Sequence, residues 1–458
     1  PTEWWVPLFL PAPRVTDDGL PPPMTHLHAP PPVEPDNLAA IDMAAPRWLD
    51  GVDLQLLAER MPTPFHAYSA SAIQQRIEAL KSALAGLDAT ICFAVKANPN
   101  LAILQLMANA GLGADIVSVG ELRRALNAGM PAERIVFSGV GKSADEIAGA
   151  LNVGIMRFNV ESLDELHTLQ RIARAQEVTA RAAVRINPDV DAQTHAKIST
   201  GKSENKFGVS IDEARRWFAQ RKSFDHVQLD GLHVHIGSQI LDVQPFRLAL
   251  ERVAAFWREL EHAGHPIASI DVGGGLGVCY RADVDQPVSA AAYVAAIREA
   301  LAGFRGRLLL EPGRWLVAEA GVLLTRVIRV KPGTERNFLI LDAAMNDLLR
   351  PSLYDAWHDI VPVSDQPRPM ATYDIVGPVC ETGDTFARAR ELPECAAGDL
   401  LLIKATGAYG TSMASNYNSR PLAAEVLLHQ GRYAVVRRRQ HFEEMIAGEQ
   451  PARNWKTP

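Results

Sequence analysis

From about residue 70 onward, short apolar runs alternate with stretches in which apolar residues recur every three or four positions. The runs fall at 91–95, 114–119, 134–138, 155–160, 180–186, 229–236, 269–272 and 308–310. Between them, 101–110, 121–128, 144–151 and 246–263 carry the 3.6-residue period of an amphipathic helix. Strand–helix alternation predicts a parallel sheet, because parallel neighbours need a crossover and the crossover is usually helical. Eight such units in about 240 residues predict an α/β fold, an eight-stranded (β/α)8 barrel of the TIM type over 68–315. An open, doubly wound sheet has the same periodicity, so patterning alone leaves closure undecided.

After Arg314 the texture changes. Segments at 321–330, 337–341, 373–376, 399–404 and 425–429 are β-like, separated by Gly, Pro and Asp turns, with few helices. They predict a mostly antiparallel β-sandwich or β-barrel domain over 316–458, which residues 41–67 are expected to join. Residues 1–40 are proline-rich and aperiodic and are expected to form a flexible leader. The apolar stretch at 4–10 is short, interrupted by Pro7 and preceded by no basic residue, which makes a poor signal peptide. No uninterrupted apolar stretch approaches the roughly 18 residues of a membrane span. No repeat of solenoid period is evident.

Composition narrows the function classes. With 458 residues, 47% of them hydrophobic, the chain can bury a large core. A net charge of −7 gives no footprint for nucleic acid or an anionic membrane. The run Arg437-Arg438-Arg439 is followed by acidic residues and reads as a solvated edge. Cys92, Cys279, Cys380 and Cys395 have neither metal-ligand spacing nor disulfide density, which suits the reducing cytoplasm and predicts no metal site.

Barrel enzymes carry their chemistry at the C-terminal ends of the strands. Here those ends offer Lys96, His235 with Ser238, the run Gly273-Gly274-Gly275, and Glu311-Pro312-Gly313-Arg314. A lysine after a strand is commonly just the first solvated residue; in a barrel mouth, burial would lower its pKa and let it form a Schiff base. A triple glycine is commonly a turn, yet before a helix its N–H groups can cradle a phosphate. It lacks the spacing of the dinucleotide fingerprint. His235 could be a satisfied core histidine or a ring that stacks on another. Glu311 and Arg314 could form a surface pair. Alternatively, the carboxylate suits a protonated ring nitrogen and the guanidinium a phosphate. Together these groups match the needs of pyridoxal phosphate.

Further motifs carry a resemblance from about residue 48 to 445. They include Ser118-Val119-Gly120-Glu121-Leu122, Ser199-Thr200-Gly201 and Arg350-Pro351-Ser352-Leu353-Tyr354. The others are Gly377-Pro378-Val379-Cys380-Glu381-Thr382-Gly383-Asp384 and Gly407-Ala408-Tyr409-Gly410. The chain resembles the pyridoxal-phosphate decarboxylases of the alanine-racemase-like barrel fold (fold type III). Carried over position by position, the resemblance implies that Lys96 holds the cofactor and His235 stacks on it. It implies that Ser238, Gly273, Gly274, Gly275, Pro312, Gly313, Arg314 and Tyr409 surround the phosphate and its approach, and that Glu311 pairs with the ring nitrogen. Arg314, Arg350, Tyr354, Glu381 and Tyr409 match substrate-holding positions, and Cys380 matches the proton donor. The implied reaction is decarboxylation of meso-2,6-diaminopimelate to L-lysine, by a homodimer whose partner supplies Cys380 and Glu381. Two alternatives stay open: a sister decarboxylase of D-ornithine, D-lysine or a carrier-bound amino acid, and a non-catalytic, regulatory pyridoxal-phosphate-binding homologue. In its bland reading Cys380 is a buried small hydrophobe.

Overall fold

The computed structural model describes residues 47–191, 206–364, 366–453 and 455. The leader at 1–40 and the Ser199-Thr200-Gly201 motif lie outside the described residues. Strand β1 (Phe65–Ser69) belongs to a second sheet. The barrel consists of β2 (Ala89–Ala94), β3 (Gly113–Ile116), β4 (Ile135–Phe137), β5 (Arg157–Val160), β6 (Ala180–Arg185), β7 (Val227–His233), β8 (Ser269–Asp271) and β9 (Arg307–Leu310). Strand β9 pairs in parallel with β8 on one side and with β2 on the other, Leu310 opposite Ile91. The sheet is therefore closed, and the doubly wound alternative is excluded.

Each expected run overlaps one strand. At 114–119, β3 stops early, at Ile116, because Ser118 caps the helix Val119–Asn127, its side chain accepting from the Glu121 N–H at 3.2 Å. Serines start most of the outer helices in this way: Ser69, Ser143, Ser162, Ser210 and Ser289 each accept from an N–H of the first turn. Replacing such a cap typically costs about 1 kcal/mol. The strand-to-helix turns that carry such a cap are thus set locally, at the barrel mouth.

Strands β10 (Gly321–Lys331), β11 (Asn337–Leu341), β12 (Ile360–Pro362), β13 (Met370–Val376), β14 (Thr385–Pro393), β15 (Leu400–Ile403), β16 (Ala424–His429) and β17 (Arg432–Arg437) form the second sheet with β1. Its order is β14-β13-β11-β10-β1-β16-β17, with β15 also on β10 and β12 on β15. All pairs are antiparallel except β11–β13 and β1–β16. Strand β10 is buried on both faces: Val322 and Leu324 enter one apolar cluster, Leu323 and Val327 the other, as the two-residue period requires. Strand β1, from before the barrel, lies between β10 and β16. No helix among the described residues is long and apolar enough to cross a membrane.

Candidate active site

A cavity of about 740 Å³ opens at the C-terminal end of the barrel. Strand β2 ends in a single tight turn, Val95–Ala97, that carries Lys96 into it. Gly313 packs there without a side chain, since a Cβ would press on the Cβ atoms of Ala94 and Ala97 at 3.0 Å. The Lys96 side chain is 40% exposed, and its Nζ donates to Asp115 Oδ2 at 2.8 Å. The expected fall in the Lys96 pKa is overturned here. Burial does push the amine down, but the Asp115 carboxylate, with Tyr409 and Glu311 behind it, pushes up more strongly and leaves it above its ordinary value. Burial and Glu311 in turn push Asp115 up, against the pull of Lys96.

Glu311 follows β9 and lies on the cavity, buried. Its Oε1 accepts from Asn159 Nδ2 at 3.1 Å and Ser138 Oγ at 3.3 Å, and its Oε2 meets His233 Nε2 at 3.1 Å. Burial alone would raise its pKa. His233, the hydrogen bond from it, and Lys96 outweigh that and hold Glu311 well below the usual carboxylate range. The same pair raises His233 against burial, while Asp271 beside them is pushed up to about 8 by burial and Glu311. Donor atoms of His233, Asp271 and Glu311 lie within 4.8 Å of one another, close enough for a metal. Both Glu311 oxygens are already engaged by neighbours.

His235, two residues beyond His233, lines the cavity. Its Nδ1 accepts the Gly274 N–H at 3.2 Å, and burial, Arg185 and Lys96 keep the imidazole neutral, well below its usual pKa. Arg314 donates from Nε and Nη2 to Ser238 Oγ at 3.2 and 2.9 Å, and from Nη1 to the Tyr280 hydroxyl at 2.6 Å. Its guanidinium lies 4.8 Å from the ring of Tyr409, whose N–H is tied to the Ala97 carbonyl.

Of the three glycines, only Gly275 lines this cavity. The N–H groups of Gly273 and Gly274 go to Asp271 Oδ1 and His235 Nδ1. A side chain on either would overlap the carbonyl of Val234 or of Glu311, so their first reason is the close crossing of backbones. Pro312, Gly313, Arg350 and Tyr354 complete the mouth, with the Arg350 guanidinium 4.2 Å from the Tyr280 ring.

Cys380 and Glu381 are not brought to this cavity. They sit on the turn between β13 and β14, both exposed, so the buried-hydrophobe reading of Cys380 is excluded. The Cys380 N–H donates to Asn418 Oδ1 at 3.2 Å, and Glu381 Oε2 accepts from the Tyr417 hydroxyl at 3.2 Å. Sequence reasoning missed Asp115, His233, Arg185 and Tyr280. His233 had a signal, since it shares the strand face of His235. Asp115, a lone acid inside the four-residue strand Gly113–Ile116, had a weaker one.

Residues 70–318 match the family described as pyridoxal-dependent decarboxylase, pyridoxal binding domain. The chain belongs to this family. It is 50% identical over 400 residues to a diaminopimelate decarboxylase of Pseudomonas aeruginosa, covering 87% of this chain and 96% of that one. It is 48% identical over 407 residues to that of Zymomonas mobilis, covering 88% and 96%. The solved diaminopimelate decarboxylase of Helicobacter pylori, complexed with L-lysine, superposes with a TM-score of 0.84 at 44% identity, covering 86% and 99%. Within the pyridoxal-dependent decarboxylases, then, the chain stands among the diaminopimelate decarboxylases and is an enzyme. The donor set suits a pyridoxal group: an ionised buried carboxylate, a neutral imidazole, an amine and an anion-seeking guanidinium converge on one cavity.

Proposed function

We propose that this protein binds pyridoxal 5′-phosphate and decarboxylates meso-2,6-diaminopimelate at its D-configured end, giving L-lysine and carbon dioxide, the last step of lysine biosynthesis. The cofactor supplies an electron sink for the bond that breaks. Lys96 holds it through its amine, and the Glu311 carboxylate pairs with the ring nitrogen and keeps it protonated. His235, neutral, offers a flat face for stacking. Ser238, Gly275 and Arg314 bind the phosphate, and Gly273, Gly274, Pro312 and Gly313 shape its loops. Arg350, Tyr354 and Tyr409, with Arg314, bind the far end of the substrate. Cys380 Sγ and Glu381 come from the partner of a cytoplasmic homodimer. The thiol hands a proton to the carbon that has lost its carboxylate, and Glu381 pairs with the distal ammonium.

One observation carries this reading. Arg314 and Arg350 are both buried on the cavity that holds Lys96, and neither has a carboxylate within ion-pair distance among the described residues. Buried charge without a counter-charge is costly, so two anionic groups, a phosphate and a distal carboxylate, are expected to enter. D-lysine and D-ornithine lack that second carboxylate. Leaving the site's charges unpaired costs about 2–5 kcal/mol, so the purified holoenzyme should turn them over poorly by orders of magnitude. Comparable efficiency on D-lysine and on meso-diaminopimelate, read as carbon dioxide release, would move the assignment to the sister decarboxylases. Borohydride reduction and peptide mapping should place the pyridoxyl label on Lys96; a label on another lysine removes Lys96 from the cofactor role.

A further inference from the structure

Arg350 is held in an unusual way for a buried guanidinium. Its Nη1 donates to His358 Nε2 at 2.8 Å. His358 Nδ1 lies 2.7 Å from the carbonyl oxygen of Lys404, which can only accept. The proton is therefore on Nδ1 and the lone pair on Nε2, facing Arg350. The strand register produces this contact: β12 and β15 pair with Ile360 opposite Ile403, and the Lys404 N–H returns to the Asp359 carbonyl. Thus His358, two residues before β12, meets the residue just after β15. From β14, Arg390 donates to the His358 carbonyl at 3.0 Å, its own guanidinium 3.5 Å from the Trp357 ring. The His358 ring meets Tyr280 edge to face at 5.0 Å, and Tyr280 underlies Arg350. His358 is 1% exposed.

We infer that His358 is a positioning residue which aims Arg350 at the distal carboxylate of the substrate and so sets the preference for substrates that carry one. The inference rests on the reading of Arg350 given under the proposed function. A carboxylate in place of His358 would hold Arg350 equally well but would cancel its charge and fill the anion's place. A neutral acceptor takes one N–H and leaves the rest of the five-donor fork, with its full positive charge, facing the cavity. Burial and the arginines at 350, 314 and 390 keep the imidazole unprotonated, so it stays an acceptor. Tyr280, bonded to Arg314 and stacked under Arg350, holds the other side of the fork.

The test compares wild type, His358→Leu, His358→Gln and Arg350→Ala as purified holoenzymes, each assayed on meso-diaminopimelate and on D-lysine. The quantity read is the ratio of kcat/KM on the two substrates. Leucine, which cannot accept, should lower that ratio by about tenfold or more, chiefly through KM for diaminopimelate, with D-lysine kinetics nearly unchanged. Glutamine, whose amide oxygen can accept, should restore most of it. Equal losses on both substrates in His358→Leu, while Arg350→Ala collapses the ratio, would overturn the role of His358 alone. A ratio unchanged in Arg350→Ala would overturn the distal-carboxylate reading and this inference with it. If the leucine variant yields no soluble holoenzyme, His358→Asn takes its place. That side chain is too short to span from Lys404 to Arg350, and an unchanged ratio there overturns the inference as well.

Discussion

Lys96 and Asp115 form an ion pair at the barrel mouth, Nζ 2.8 Å from Oδ2, and it bears directly on the role proposed for Lys96. A lysine must shed its proton before it can attack a carbonyl, yet here Asp115 keeps the amine above its ordinary pKa. Asp115 is fully buried on β3, and its Oδ1 has no hydrogen-bond partner. Lys96 is thus its main source of compensation, and the amine rests protonated. Asp115→Asn keeps the shape and removes the charge, so the Lys96 pKa should fall. Trace acylation of the cofactor-free protein, mapped by peptide, should show Lys96 labelling at pH 8 rising about tenfold for each unit lost. Labelling equal to wild type would mean that another group holds the proton. The sequence made Lys96 legible because it closes an apolar run. Asp115 interrupts such a run without disturbing its period, and its meaning depends on a neighbour that only the strand pairing Ala94–Asp115 supplies.

At the scale of elements, legibility follows burial. The barrel strands are covered on both faces, so they stand out as near-continuous apolar runs. Strands β12, β14 and β17 escaped the sequence reading: β14 carries Arg388, Arg390 and Glu391, and most of β17 is exposed. Pairing partners were equally silent, since nothing in Phe65–Ser69 encodes β10, over 250 residues away. For the same reason His358 went unremarked, its role coming from β12, β14 and β15 together. The loop after β15 shows how such junctions are made. The Thr406 N–H reaches the Gly321 carbonyl at 2.9 Å, the Gly407 N–H the Ala318 carbonyl at 3.0 Å, and Asn98 Nδ2 the Gly407 carbonyl at 3.0 Å. A Cβ on Gly407 would overlap the Val317 carbonyl. Gly407→Ala should therefore cost about 1–3 kcal/mol through forced backbone movement. It should also raise KM by displacing Tyr409 two residues on. A urea midpoint equal to wild type would show that the loop moves freely and is no anchor.

For the whole molecule, the placement of Cys380 and Glu381 sets the decisive question. Both face outward from the turn between β13 and β14, and neither lies on the cavity that contains Lys96. A proton donor must come within hydrogen-bond reach of the carbon it serves. Exposed apolar residues adjoin both places: Val117 and Val140 at the barrel mouth, and Tyr417 beside Glu381. A second copy related by a two-fold axis could bring the turn of one chain to the mouth of the other, each site then using Lys96 from one protomer and Cys380 from its partner. Lys96→Ala and Cys380→Ala should each be inactive alone. In a randomly exchanged mixture, half of the dimers contain one of each variant. Within such a dimer one site collects both substitutions, and the other has the intact Lys96 of one chain and the intact Cys380 of its partner. Activity should therefore return to about a quarter of wild type. If each chain supplied both groups to its own site, every site would carry one substitution and the mixture would stay inactive. Confirmed exchange of subunits without recovered activity thus rejects the shared site, and recovery near a quarter rejects the self-contained one.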